Sequence, residues 1–323
     1  MSSRQEHNSF LYRANTICQG FVYFQTSSSR ILLCNPGTWI DEKLFTKLER
    51  LKDKIDFVSV IDHDLNEKFK SLLFDHLKCD FENEWARSKE EILSLFNSLL
   101  AEGKSFYNWS IACFDVFNKA ADSDLNDLHE TDVNLFRKAQ LSAAVAIWLS
   151  LTNGFYDPEL LEDIYHLSFF QDSGLIDSDY SYYVTEAIDQ ESVNPGHGIK
   201  YLMNQQASPA EIKLYKEHPF GSYEFIRRVN LLNNPELANT VLLGHELSNG
   251  EGFPFGYTEA VLANWEKIII LADQLVKYNS TTNYNLYREL ETIRSFKIGV
   301  LPVKKILVRA LSTVPCLHQE VSA

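Results

Sequence analysis

The sequence predicts an α+β chain: a small N-terminal α/β module followed by an all-helical bundle. β-prone runs are confined to the first ~60 residues. From Ser88 onward apolar residues recur at helical spacing. The length, 323 residues, easily buries a core and suggests two domains. The reading places an α/β domain at 1–82, a helical connector at 83–130 and a helical domain at 131–323.

In the module, Gly20–Phe24 and Arg30–Cys34 read as strands, and the polar Gln25–Ser29 between them reads as a hairpin turn. Asn35-Pro36-Gly37 is a second turn. Asp41 caps a helix running to about Lys52, with Leu44, Leu48 and Leu51 on one face, and Phe57–Ile61 is another strand. His63 and His76 are expected to be exposed polar residues rather than ligands.

Beyond it, Glu91–Leu100 is amphipathic and Trp109–Asn118 continues the helical pattern. Asp122–Glu130 reads as a polar, acidic connector, and Asp132 opens an Ala-rich helix over Leu135–Leu151. Asn153-Gly154 breaks it, and Asp157-Pro158 opens the next, Glu159–Phe170. Ala260–Tyr278 is a further helix, another is expected near Tyr287–Phe296, and Pro302 introduces the amphipathic Val303–Leu311. The end from Ser312 is expected to fray.

Composition narrows the function classes. Hydrophobic residues make up 45% and charged residues 23%, as in a soluble globular protein. No apolar run is long enough to span a bilayer and no leader pattern opens the chain, which predicts a cytoplasmic protein. A net charge of −14 argues against nucleic acid as the main partner. The five cysteines, Cys18, Cys34, Cys79, Cys113 and Cys316, are widely spaced and form no CxxC pair, so they read as reduced, mostly buried thiols.

The chain's most informative stretch runs from Gly244 to Gly256: a His245-Glu246 pair, then Asn249-Gly250-Glu251-Gly252-Phe253-Pro254-Phe255. Glycine and proline at this density mark a constrained loop. By spacing alone it reads equally as a surface loop with a stray histidine. The pattern resembles the His-His-Glu…Asp-Gly-x-Gly-Tyr-Pro signature of the HD-GYP family, bacterial HD-superfamily phosphodiesterases acting on cyclic di-GMP. His245 and Glu246 match the second His and the Glu, Asn249 stands for Asp, Phe253 for Tyr, and Gly244 for the first His. Phe169-Phe170-Gln171-Asp172-Ser173-Gly174-Leu175-Ile176 resembles the family's run ending in His-Asp-Ile-Gly-Lys, with Gln171 for the His and Leu175 for the Lys. His218-Pro219, with Gly221 to Glu224, resembles its His-Pro-x-x-Gly-Tyr-Glu segment, and Ala272-Asp273 its Ala-Asp pair. Pro219 is expected in the first turn of a helix, and His197 in the turn after Asn194. The family's early metal-binding His falls among Phe136–Leu141, where no residue is a good ligand, and His129 lies outside the expected helix.

The resemblance implies an HD-GYP-type bundle with two adjacent metal positions sharing Asp172. The first would use the early His, the Gln171 position, Asp172 and Asp273, and both its histidines are missing. The second would use Asp172, His218, the Gly244 position and His245, and keeps two His and one Asp. An amide binds transition metals far worse than imidazole, and Leu175 cannot meet a phosphate. No efficient phosphodiesterase activity is therefore expected, and no cofactor beyond at most one weakly bound Fe or Mn. Asp172 alternatively reads as a helix-terminal cap.

Three readings follow. One is a catalytically inactive regulatory or interaction module, with Gly252-Phe253-Pro254 meeting a diguanylate cyclase (GGDEF) domain or another signalling protein. Another is a sensor binding cyclic di-GMP through Lys200, Arg227 and Arg228. The third is a weak single-metal phosphodiesterase. Asp172, His218, His245 and Asp273 are expected to converge and to pair Asp with His, with Gln171 donating or accepting.

Overall fold

The β-prone runs pair across the turns that separate them. Strand β2 (Gly20–Gln25) lies between β3 (Arg30–Cys34) and β5 (Ile55–Ser59), antiparallel to both. A separate ladder joins β1 (Thr16–Ile17) to β4 (Trp39–Ile40), in register Ile17↔Trp39. In this computed structural model the described residues are 13–176, 182–193, 197–247, 250–277, 281, 284–286, 288–290 and 304–313. Among them the chain is mostly helical, with its antiparallel strands at the N-terminal end.

Side chains alternate along a strand, so the short β1–β4 ladder faces two cores. Ile17 and Trp39 join the core of the helical part, while Cys18 and Ile40 close a smaller core with Val22, Cys34 and Leu48. Helix α1 (Glu42–Arg50) supplies Leu48, and its N-cap Asp41 accepts from the Leu44 N–H at 2.5 Å. Trp39 packs on Phe114 and Phe136 with both centroids 5.9 Å away, and its indole N–H donates to Asn126 Oδ1 at 2.8 Å.

Helical structure begins earlier than Ser88. Asp62 caps α2 (His63–Leu77), whose Leu65, Phe69 and Leu73 are buried, and α3 spans Glu82–Ala101. His63 is exposed as expected. His76 is not: it is fully buried, with Nε2 donating to the Tyr156 carbonyl at 2.7 Å and Nδ1 facing Ser88 Oγ at 3.2 Å. Helix α4 (Tyr107–Phe117) follows. The acidic stretch read as a connector is itself helix α5 (Asp122–Thr131), because Leu125, Leu128 and His129 give it one buried face.

The centre of the bundle is α6 (Val133–Thr152), capped by Asp132 and buried along nearly its whole length. Against it lie α7 (Pro158–Phe169) and α11 (Asn264–Leu275), the latter shorter at both ends than the sequence suggested. Helices α8 (Tyr182–Val193), α9 (His197–Asn204) and α10 (Pro209–Val229), a 3-10 segment (Pro235–Leu243) and α12 (Lys304–Ser312) complete the described helices named here. His197 therefore opens a helix rather than closing a turn. Asn194, Pro195, Gly196, Asn249, Tyr278, Tyr287, Phe296, Pro302, Val303 and Cys316 lie outside the described residues. Cys18, Cys34 and Cys113 are buried free thiols and Cys79 is half-buried. No helix among the described residues is long and apolar enough to cross a membrane.

Candidate functional site: a charge cluster inside the bundle

A lysine stands near the start of α6, in the stretch of the helix that is buried from Leu135 to Leu151. Lys138 is 2% exposed. Such a cation is tolerable only when paired and hydrogen-bonded, and two carboxylates meet it. Its Nζ donates to Asp172 Oδ2 at 2.6 Å and makes a second ion pair with Asp273 Oδ1. Asp172 follows α7, at the entrance to the 3-10 turn Ser173–Leu175, and Asp273 lies in the last turn of α11. The Asp172 side chain caps no backbone N–H of that turn, which removes the capping reading. Gln171 donates through Nε2 to Asp273 Oδ1, and its buried Oε1 has no partner.

Burial opposes charge on all three ionic groups, and pairing outweighs it for two of them. For Lys138 the two carboxylates outweigh burial and hold the amine above its ordinary range. For Asp172 the ammonium of Lys138 and the two nearby histidines outweigh burial, and the carboxyl sits well below its usual value. Asp273 moves the other way: burial and the charge of Asp172 raise it despite Lys138. One ammonium cannot neutralise two carboxylates, and Asp172, with the histidines beside it, is the better-stabilised charge of the pair.

The histidine face of the cluster is set by a proline. Pro219 lies inside α10, not in its first turn. Lacking an N–H, it leaves the carbonyl of Tyr215, four residues back, without its helical donor. His218 Nδ1 donates to that oxygen at 2.9 Å. This fixes the tautomer of a neutral ring and turns the Nε2 lone pair inward, and burial lowers the pKa of His218. Its Nε2 lies 2.8 Å from Nε2 of His245. Asp172 Oδ1 is 3.6 Å from the first ring nitrogen and 3.7 Å from the second, too far for a hydrogen bond. The expected Asp–His pairing is thus replaced by Asp–Lys pairing, and removing Asp172 would leave Lys138 with Asp273 as its remaining carboxylate rather than leave a histidine unpartnered. One donor atom each from Asp172, His218 and His245 lie within 4.8 Å of one another, an arrangement that could hold a metal ion.

The loop after His245 is fastened to the same cluster. Phe253 stacks on the His245 imidazole, centroids 4.9 Å apart and planes 10° from parallel, and also contacts Tyr215 at 5.0 Å. The Phe253–Pro254 bond is cis. Glu246 is fully buried. Its carboxylate accepts from the backbone N–H groups of Phe255 (2.7 Å), Gly256 (3.2 Å) and Tyr257 (2.7 Å). Gly252 is required by proximity, since a Cβ there would lie 2.5 Å from the backbone of His245, Glu246 and Leu247. Gly174 plays the same part on the other side: its Cβ would lie 2.0 Å from the His218 carbonyl.

Asp172, His218, His245, Asp273 and Gln171 therefore share one buried cluster. Gly244 sits beside it with room for a side chain, the nearest atom to an added Cβ being Val241 O at 3.5 Å. Lys200, Arg227 and Arg228 are exposed. Arg227 lies over Tyr223 of its own helix. Arg228 lies over Phe225 and borders an open depression of about 360 Å³ with Ser173, Gly174 and Glu224. Lys138 is the residue that ligand-seeking misses. It stands in the Phe136–Leu141 window, and the signal is the charged pair Arg137-Lys138 in a helix that turns apolar after Ser142, since a charge buried there demands a partner.

The first metal position implied by the sequence resemblance does not fit an ion, because Lys138 places its own positive charge between the two carboxylates. The second position fits one, through Asp172, His218 and His245. No family model matches the chain, and no curated protein matches it. A solved structure described as Bd1817, an HDGYP protein from Bdellovibrio bacteriovorus, is similar at 14% identity and a TM-score of 0.42, over 95% of this chain and 97% of that one. A likeness so distant fixes neither the chemistry nor the state of the site.

Proposed function

We propose that this chain is a catalytically inactive HD-GYP-like protein acting as a regulatory or protein-interaction module in bacterial cyclic di-GMP signalling. The observation that carries the reading is the Lys138 bridge between Asp172 and Asp273, where a two-metal phosphodiesterase would need an ion. Gln171 in place of the histidine and Leu175 in place of the lysine point the same way. Two-metal hydrolysis needs one ion for the attacking oxygen and another for the leaving one, and this centre offers donors for a single ion. An Fe or Mn ion held by Asp172, His218 and His245 would supply Lewis acidity on one side only. The aromatic Phe220, Phe255 and Tyr257, exposed near the Gly252-Phe253-Pro254 loop with Phe255 in contact with both of the others, suit a protein partner such as a diguanylate cyclase domain.

The test is hydrolysis. Purified protein supplied with Fe²⁺ or Mn²⁺ under reducing conditions is expected to leave cyclic di-GMP intact, read by chromatography of the products. Turnover above background that disappears in His245→Ala would overturn the reading and restore the single-metal phosphodiesterase. Calorimetry with cyclic di-GMP separates an inactive interaction module from a sensor. Binding lost on Arg228→Ala would favour the sensor, because that arginine borders the open depression beside Gly174.

A further inference from the structure

We infer that the Lys138 ammonium is a built-in cation doing the work of a metal ion, and that the amine bars a divalent cation from a latent oxygen-donor site formed by Asp172, Asp273 and Gln171. The inference concerns what neutralises this centre, and it does not depend on whether the protein binds or cleaves cyclic di-GMP.

The geometry is that of a cation site with a side chain in it. Two carboxylate oxygens from separate elements, Asp172 Oδ2 and Asp273 Oδ1, converge on one point, and Lys138 Nζ occupies it. All three side chains are under a tenth exposed, so water does not neutralise the carboxylates. The third wall is Gln171. Its Nε2 now donates to Asp273, while its Oε1 is buried and unpartnered. A half-turn of the amide would present that oxygen instead. The donors would then be two carboxylates and an amide oxygen, a hard set of the kind that suits Mn²⁺ or Mg²⁺.

Charge points in the same direction. A divalent ion would balance both carboxylates, whereas the ammonium balances one. The lysine nevertheless prevails because it is tethered on α6 and never dissociates, which sets its effective concentration far above that of free cation. The histidine face is separate. Asp172 offers it Oδ1, and Asp273 is not among its three donors. Asp273 therefore reports on the Lys138 face alone.

The experiment uses the full chain and Mn²⁺ as the probe. In chelator, Lys138→Ala is expected to melt lower than wild type by about 5 °C or more, since one partner of a buried ionic cluster is gone. Added Mn²⁺ should recover much of that loss, and metal analysis should find about one more ion per chain than in wild type. Lys138→Ala/Asp273→Asn should lose both the recovery and the additional ion. The idea is overturned if Mn²⁺ does not stabilise Lys138→Ala, or if the additional ion survives Asp273→Asn. Folding of Lys138→Ala only in the presence of Mn²⁺ supports it. Should that variant not fold under either condition, the wild type decides: Mn²⁺ uptake unchanged by Asp273→Asn supports the inference, and uptake that depends on Asp273 overturns it. Hydrolysis of cyclic di-GMP by the wild type would defeat the functional reading alone, provided Asp273→Asn leaves its metal content unchanged.

Discussion

At the scale of single residues, the molecule keeps many ionisable groups inside, and each must be held in one charge state. Lys138 is held charged by two carboxylates, and His166 is held neutral by burial. His166 is 1% exposed, its Nε2 accepts from the Lys119 N–H at 3.4 Å, and its pKa falls from 6.5 to about 4. A depressed histidine favours folding fully above its unfolded value, and that advantage is lost as pH falls, because the unfolded chain takes up a proton that the folded one refuses. Stability is therefore expected to fall between pH 6.5 and about 4, with His166 alone responsible for up to about 3 kcal/mol. Urea midpoints at pH 7 and pH 5 measure the slope, and His166→Gln should flatten it; an unchanged slope would place the titrating group elsewhere. The same scale explains why most of the cluster was legible from sequence and Lys138 was not. Asp172, His218, His245 and Asp273 are ligand types at motif positions. A search for ligands counts lysine as a loss, although physically it supplies the cation that the ligands would have bound.

At the scale of elements, short breaks in regular structure aim the side chains of the site. Pro219 leaves a carbonyl free inside α10 for His218, Gly174 lets the Asp172 turn rest on that helix, and Glu246 ties three successive N–H groups of the following loop. The caps at Asp41, Asp132 and Asp157 were readable because a capping carboxylate leaves a local signature. The helical state of Asp122–Thr131 and the burial of His76 were not readable, since both depend on faces supplied by distant elements. Proline inside a helix was read as a helix start for the same reason: the local signal is shared, and the compensating hydrogen bond is tertiary. Pro219→Ala tests the account. It returns a helical donor to Tyr215 O, which then competes with His218 Nδ1. The ¹⁵N shifts of the His218 ring should move from a single Nδ1–H tautomer toward a mixture. A ring that stays in one tautomer would mean that the Pro219 gap does not orient His218.

At the scale of the molecule, the question is whether the strands and the helices form one cooperative unit. The small core around Cys18, Val22, Cys34, Ile40 and Leu48 has few buried apolar side chains, and a core of that size is marginal by itself. It is carried by the bundle through the β1–β4 ladder, whose alternation sends Ile40 into the small core and Trp39 into the large one. Arg137 reinforces the junction. It is 5% exposed, and its guanidinium reaches Thr38 Oγ1 at 2.5 Å, one residue along α6 from Lys138. The sequence announces two compositional halves, but nothing local in it announces that one tryptophan spans them. Trp39→Ala should remove about 3–5 kcal/mol and also leave Asn126 Oδ1 without its donor. Because that loss falls on the junction, wild type is expected to unfold in one transition, and Trp39→Ala in two, with the strand region first. Hydrogen exchange would assign them: in the variant, amides of β2 and β3 should exchange at lower denaturant than those of α6, whereas in wild type they exchange together. A variant that unfolds in a single, merely lower transition would show that the Arg137–Thr38 bond and Ile17 suffice to keep the two cores coupled.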